Sequence, residues 1–468
     1  MNRRIYCLLW LLLTVLMVHA DLYHTPEKIK NPAGHFYFYR FTLRDKLGGR
    51  YSLQKPWQFL SQKSLSRRNR QQLPLDSTDL PVSDRYIQQF LDIPNAQLIG
   101  TSRWNNTILM RMSDTLIAKR LSLLPCVVRY RCVGISPDSI TPTVRAPKVH
   151  TTFNSWDSVP NNRYGTAADQ ILIHDGITLH DHGYKGSGIT IAILDGGFMN
   201  VNRIPMFHDT HILGTHDFVF PPSPNIYDET DHGTKVLSTM AACVPYVYIG
   251  TAPEANYWLI RCEDQQSEQM VEEDYWAMAA EFADSVGVDI ISSSLGYEEF
   301  DDHATTHQYW EMDGHTALIS NTASMLAFKG IAGITSAGNS GMGPWKKITF
   351  PADADNVLTV GAVTSDKTNA PFCGVGPTQD GRIKPDVMAL GSPAAVITGR
   401  GTVAQDIGTS FSTPIIAGLV ACLWQSQPQL TALQLIQLVR NCSNNVAHPD
   451  NIYGYGIPNF WKASQWKH

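Results

Sequence analysis

Charge is scarce in this chain: 17% of its 468 residues are Asp, Glu, Lys or Arg, against 43% hydrophobic. That balance excludes a disordered polyelectrolyte and leaves enough apolar side chain to bury a large core. Metal-type cysteine pairs are missing as well. The cysteines beyond the first twenty residues, at 126, 132, 243, 262, 373, 422 and 442, form no C-x-x-C unit, which removes the usual zinc-site spacing. Their odd number leaves at least one thiol free, and buried apolar cysteines with at most one or two bridges are expected, Cys422 with Cys442 being the candidate pair. There is no internal repeat and no low-complexity tract. Beyond the first twenty residues no apolar run is long enough to span a bilayer.

Those first residues carry Arg3 and Arg4, an apolar stretch from Cys7 to Val18, and Val18-His19-Ala20 as a small-residue cleavage site. The pattern is that of a cleavable signal peptide over residues 1–20. It leads us to expect a secreted or periplasmic protein that begins near Asp21, with no membrane span after cleavage.

The net charge of −5 conceals an asymmetry. Residues 21–134 hold 18 Lys and Arg against 8 Asp and Glu, a balance of +10, whereas residues 135–468 hold 17 against 34, a balance of −17. The basic residues are scattered over strand and helix positions, and an acidic body follows on the same chain. The expected partner of the basic unit is therefore that body and not a nucleic acid.

Along residues 21–134 the patterns "FYFYRFTL", "WQFLSQKSLSRRNRQQ", "VSDRYIQQFLDI", "AQLIGTS", "TILMRM", "SDTLIAKRLSLL" and "CVVRYRCV" read as strand, helix, helix, strand, strand, helix, strand. Ser83 is a candidate helix cap, and Asn105-Asn106 is a turn. Residues 135–156, punctuated by Pro137, Pro142 and Pro147, lack periodicity and read as a linker. From residue 157 to 468 short buried strands such as "GITIAIL", "VDIISSSL" and "IAGITSAG" alternate with helices. That alternation predicts an α/β domain with a central parallel sheet covered on both faces, whose functional residues stand at the carboxyl ends of strands.

Three polar residues fall at such positions. Asp195 follows "GITIAIL"; His232 opens the helical stretch "HGTKVLSTMAA"; Ser410 lies in "GTSFSTP", where an apolar helix begins. Taken singly, each reads as a helix cap or a turn residue. Taken together they supply what acyl transfer needs: a nucleophile, a base to accept its proton, and a carboxylate to orient the base. Asn339, in "SAGNSG", projects from the end of an apolar strand and is available as a neutral donor to an oxyanion.

These stretches, with "VDIISSSLGY" and "IKPDVMALG", occur in the order Asp, His, Ser over some 290 residues and resemble the subtilisin-like serine peptidases. The wording around "HDHGYKGSGITIAILDGGF" is similar to subtilases of Bacteroides-type bacteria. The resemblance implies a three-layer subtilisin-like fold. It implies a secreted serine endopeptidase that works through an acyl-enzyme, with Ser410 as nucleophile, His232 as base and Asp195 as its orienting carboxylate. Asn339 would form the oxyanion hole with the N–H of Ser410, and Ser294, Leu295 and Gly296 would pair with an extended peptide or protein substrate. It also implies that the N-terminal unit is a propeptide-like α+β domain, an intramolecular inhibitor or chaperone of a self-inhibited zymogen. Departures from the commonest family spelling are Gly196 in place of Ser or Thr, and "FSTP" after Ser410 in place of "MAAP".

No cofactor is implied. Asp301 with Asp302, or Asp353 with Asp355, are candidate calcium ligands of the kind some subtilases carry, while His208, His211 and His216 read as a histidine-rich loop and not a metal site. An α/β-hydrolase esterase is excluded, because Ser412 stands where G-x-S-x-G needs its second glycine. A peptide-binding module on a catalytically dead subtilase fold would be expected to have lost one of the four polar residues, and all are present.

Overall fold

The computed structural model describes residues 29–30, 35–136, 139–140, 149, 158–221 and 225–467. The expected signal peptide, residues 1–20, and most of the expected linker, 135–156, lie outside them.

The N-terminal unit contains the seven expected elements in the expected order. They are β1 (Tyr37–Leu43), α1 (Gln62–Arg70), α2 (Asp84–Leu91), β2 (Ala96–Ser102), β3 (Thr107–Met112), α3 (Thr115–Ser122) and β4 (Val127–Ile135). The strands form one antiparallel sheet in the order β2-β3-β1-β4. Phe41, Phe90, Ile108, Met110 and Leu121 fill the space between sheet and helices. Asp114 caps α3 by accepting from the Leu116 N–H at 2.8 Å. Ser83 sits at the N-cap position of α2 but makes no cap bond, because its hydroxyl donates to the Leu47 carbonyl at 2.9 Å.

The body is built on seven strands, β5 (Thr190–Asp195), β6 (His211–Asp217), β7 (Asn256–Arg261), β8 (Ile290–Ser293), β9 (Ala332–Ser336), β10 (Val357–Thr364) and β11 (Val387–Ser392). All neighbours are parallel, in the order β11-β10-β9-β8-β5-β7-β6. Because alternate side chains of a strand face opposite ways, each strand feeds two apolar layers. Ile191 and Ile193 pack with Ile415, Ile416 and Leu419 of α7 (Thr409–Ser426) and with Val236 and Leu237 of α4 (His232–Ala241). Ala192 and Leu194 pack with Trp276, Ala279 and Ala280 of α5 (Val271–Val286) and with Ile319 of α6 (Leu318–Met325). The result is the three-layer α/β fold expected. The chain leaves β5 for one edge of the sheet and later returns to β5's other side as β8, so a crevice opens at the carboxyl ends of those two strands.

The two units meet across α5. Arg40 grips Asp274 through three hydrogen bonds of 2.6–2.9 Å and reaches Glu273 at 3.3 Å. Asp284 is fully buried and receives Arg67, Arg68 at 2.8 Å and Arg103 at 2.6 Å. Burial alone would raise the Asp284 carboxyl; the three guanidinium groups outweigh it and hold the group well below the usual carboxylate range. The opposite charges of the two halves thus meet in specific pairs.

The expected Cys422–Cys442 bridge is corrected: both are free thiols, as are Cys126, Cys132, Cys243, Cys262 and Cys373. Cys422 instead donates to the Thr251 carbonyl at 3.1 Å. Most of these thiols are buried, while Cys132 is half-buried and Cys243 exposed. Among the described residues no helix is long and apolar enough to cross a membrane.

Candidate active site

Asp195 is the last residue of β5 and has no exposed surface. Its carboxylate lies 2.9 and 3.0 Å from Nδ1 of His232, the first residue of α4. The Gly196 N–H donates to the same carboxylate at 2.8 Å. His232 keeps 30% of its side chain exposed, toward the crevice. Burial would lower the imidazole; the Asp195 charge and hydrogen bond outweigh it and raise the group to about 9. The pair therefore holds a strongly basic ring with its second nitrogen left for another partner.

Ser410 is the second residue of α7, so its N–H has no acceptor within the helix. Pro414, four residues on, has no N–H to return to the Ser410 carbonyl. That carbonyl accepts instead from the Ser294 hydroxyl at 2.8 Å, and the Ser410 hydroxyl donates to the Ser294 carbonyl at 3.2 Å. The reciprocal pair ties the start of α7 to the segment leaving β8. Phe411, the residue after Ser410, is buried, with its ring centroid 5.9 Å from that of His232. Ser410 Oγ thus points to Ser294 and not to His232 in this structure.

Asn339 is exposed beyond the end of β9. Its oxygen accepts from both the N–H and the hydroxyl of Thr409 at 3.0 Å, which turns its amide nitrogen away from Thr409. The bend that presents it needs Gly338, whose φ is +92° and where a Cβ would lie 2.5 Å from Thr349 Oγ1. The Gly338 N–H in turn donates to Thr409 Oγ1 at 3.2 Å. Sequence reasoning missed Thr409. The signal was present in "GTS", where a hydroxyl precedes the serine, but it carries meaning only once Asn339 is known to lie against it.

Ser294 and Leu295 are buried and Gly296 is exposed. Leu295 is held by the Ser336 hydroxyl on its carbonyl at 3.2 Å, and Tyr297 exchanges two 2.9 Å backbone bonds with Phe350. The segment leaves the sheet as a short extended edge facing the crevice. The residues after Ser410 also find their place, since the Ser412 and Thr413 hydroxyls both donate to the Thr409 carbonyl, at 3.0 and 2.8 Å.

The candidate calcium carboxylates each have partners within the chain. Asp353 is taken by the Ser320 hydroxyl and the Gly314 N–H, Asp355 by Arg382 and His315, and Asp301 and Asp302 by backbone N–H groups. Nor do the histidines converge: His208 meets Asp209, His211 meets Asn256 and His216 stacks on Phe282. Among the described residues no group of three or more His, Cys, Asp or Glu could hold a metal ion.

Comparison with known proteins follows the same division of the chain. Residues 186–456 match the subtilase family, and residues 38–147 match the peptidase S8 propeptide domain of Bacteroidota. Among curated relatives, subtilisin DY of Bacillus licheniformis is 30% identical over 287 residues, covering 60% of this chain and 93% of the relative. Subtilisin Savinase of Lederbergia lenta is 27% identical over 287 residues, covering 61% of this chain and 94% of the relative. M-protease of Shouchella clausii is 27% identical over 287 residues, covering 61% and 67% respectively.

Proposed function

The chain belongs to the subtilase family, a serine endopeptidase preceded by a propeptide domain, and from that premise we propose that it is a secreted zymogen whose triad is Asp195, His232 and Ser410. In this reading the Ser410 hydroxyl leaves the Ser294 carbonyl as a peptide enters, turns to Nε2 of His232, and attacks the scissile carbonyl. His232 takes the proton and returns it to the departing amine; Asp195 orients the ring and stabilises its cation. The observation that carries the reading is the fully buried Asp195 carboxylate on Nδ1 of His232 at 2.9 Å, which leaves the basic Nε2 for a proton arriving from the crevice.

The tetrahedral oxygen would be received by the Asn339 amide and the Ser410 N–H, two donors whose directions are set before substrate arrives. Thr409 supports that role by occupying the Asn339 oxygen. Ser294, Leu295 and Gly296 would take the substrate as an added strand, with recognition mainly through main-chain bonds.

The N-terminal unit, assigned to residues 21–134 with a linker at 135–156 and the peptidase at 157–468, acts in this reading as intramolecular inhibitor and folding chaperone, released by cleavage between residues 134 and 150. Its arginines in Asp274 and Asp284 support docking on the body. The signal-like residues 1–20 support export, and no cofactor enters the scheme.

A fluorophosphonate probe tests the assignment. The processed chain should label at Ser410 and lose all labelling in Ser410→Ala. Failure of the folded, propeptide-free protein to label would show that the fold serves as a binding module.

A further inference from the structure

Beside the triad lies a second constellation that the reaction does not use. Glu263 follows the end of β7, where the Cys262 N–H donates to the Asp195 carbonyl at 3.0 Å. Its carboxylate occupies the space over Gly196: a Cβ there would lie 2.6 Å from Glu263 Oε2 and 3.0 Å from Gln265 Nε2. The unusual glycine after Asp195 therefore makes room for a carboxylate at the mouth of the site. Glu268 is half-buried like Glu263, and Glu272, at the start of α5, is fully buried. Burial raises all three: Glu263, with Asp195 next and His232 pulling the other way, to about 7; Glu268, with Glu263 next, to about 8; and Glu272, with Glu268 next, well above the usual range.

Among the described residues none of these three carboxylates is in an ion pair, although Glu263 accepts from Gln265 Nε2 at 2.6 Å and is lowered by the His232 ring. Arg261, the neighbouring guanidinium, is spent on Asp217 at 3.1 Å, Glu229 at 3.4 Å and the Gly196 carbonyl at 3.1 Å. Glu272 has no exposed surface, and while its Oε1 accepts from the Asp264 N–H at 2.7 Å, its Oε2 has no partner at all. A second observation is independent of the acids. Among the described residues the buried Tyr297 hydroxyl has no hydrogen-bond partner either, and burial first, then Glu272 and Glu263, push it well above its usual range. Tyr297 is the residue next to Gly296, on the edge assigned to the peptide. A buried carboxylate oxygen and a buried phenol, both unsatisfied, cost free energy unless something arrives to bond them.

Resting on the peptidase reading above, we propose that Glu263, Glu268, Glu272 and Tyr297 form an acidic subsite that receives a lysine or arginine side chain of the bound peptide. Glu263 stands over Gly196, and Tyr297 follows Gly296 in the chain. Its acids are too dispersed to gather on one metal ion, whereas a long side chain ending in several N–H donors reaches more than one carboxylate. The two open acceptors would take its protons, and the carboxylates would ionise around it. Specificity then comes from recognising charge in a place where a neutral side chain leaves acids unpaired.

The test uses enzyme purified from full-length expression and fluorogenic peptides in which each position around the cleaved bond is varied through Lys, Arg, Met and Glu. One position should favour Lys or Arg over Met at least tenfold in kcat/KM. Glu272→Gln and Glu263→Gln, each checked for folding by fluorophosphonate labelling, should collapse that ratio below threefold. Cleavage without a basic preference at any position would overturn the subsite and leave the peptidase reading standing. A basic preference that survives both substitutions would place it elsewhere and overturn the proposal too. If no peptide is cleaved and no probe is taken up, the peptidase reading fails, and the subsite with it.

Discussion

At the start of α5 three consecutive carboxylates, Glu272, Glu273 and Asp274, meet different fates. Successive helical side chains point about 100° apart, and the helix lies between the propeptide unit and the crevice. Glu273 and Asp274 turn to Arg40, at 3.3 and 2.6 Å, and Glu273 also accepts His307 at 2.8 Å. Glu272 accepts instead from the Asp264 N–H at 2.7 Å, and among the described residues its other oxygen has no partner. One helix turn thus carries both a saturated docking surface and an unsaturated pocket. The excess acid of the body has two separable uses: part is neutralised permanently within the zymogen, and part is held unpaired beside the reaction centre.

The sharpest way to break this comparison is at the saturated surface. Asp284→Ala would take the shared carboxylate from Arg67, Arg68 and Arg103, leaving the almost wholly buried Arg67 without a carboxylate partner and Arg68 with Asp79 alone. Removing one partner from a buried ionic cluster costs about 3–5 kcal/mol. That loss should appear in urea unfolding of the Ser410→Ala full-length chain, which cannot process itself. The Asp284 carboxyl is depressed in the fold, so its contribution is present above the ordinary carboxylate value and fades only in strong acid. A loss under 1 kcal/mol would mean that ion pairing does not hold the units together.

A second measurement lies at the triad. His232 must be neutral to accept a proton, so kcat/KM should rise with pH along a limb near 9, the value to which Asp195 lifts it against burial. Glu263 lies among the charges that raise the ring. Glu263→Gln should move the limb to lower pH by a few tenths of a unit, smaller than the effect of Asp195→Asn. An unmoved limb would separate the acidic pocket electrically from the reaction centre.

Much of this architecture was legible before folding. The order of all seven N-terminal elements followed from apolar periodicity, and Asp195 and His232 were placed by the rule that strand ends carry function. What escaped depends on contacts distant in sequence. Thr409 matters because Asn339, seventy residues away, leans on it, and Ser294, expected only at the substrate, also holds the Ser410 carbonyl that Pro414 leaves free. The Cys422–Cys442 pairing failed because a thiol in an apolar helix and one just past a helix end say nothing about which carbonyl the first of them meets. Glu263, Glu268 and Glu272 escaped for a related reason. Glu263 and Glu268 lie in an aperiodic loop and Glu272 opens a helix, and carboxylates in either place look like solvated surface until the fold encloses them.

The smallest effect is the most discriminating, because its sign is opposite to that at Asp284. In the fold Glu272 is held well above the usual carboxyl range by burial first and Glu268 next. For such an acid the folded state binds more protons than the unfolded one, so stability falls as pH rises past the ordinary carboxyl value toward the folded one. Glu272→Gln removes that titration while keeping the oxygen that accepts from the Asp264 N–H. It should therefore stabilise the unliganded chain, by about 1 kcal/mol or less and more at pH 8 than at pH 5. Urea unfolding of the Ser410→Ala chain with and without the substitution reads this directly. A loss of stability comparable to that of Asp284→Ala would mean that Glu272 already has its counter-charge, and the contrast between the two faces of α5 would disappear.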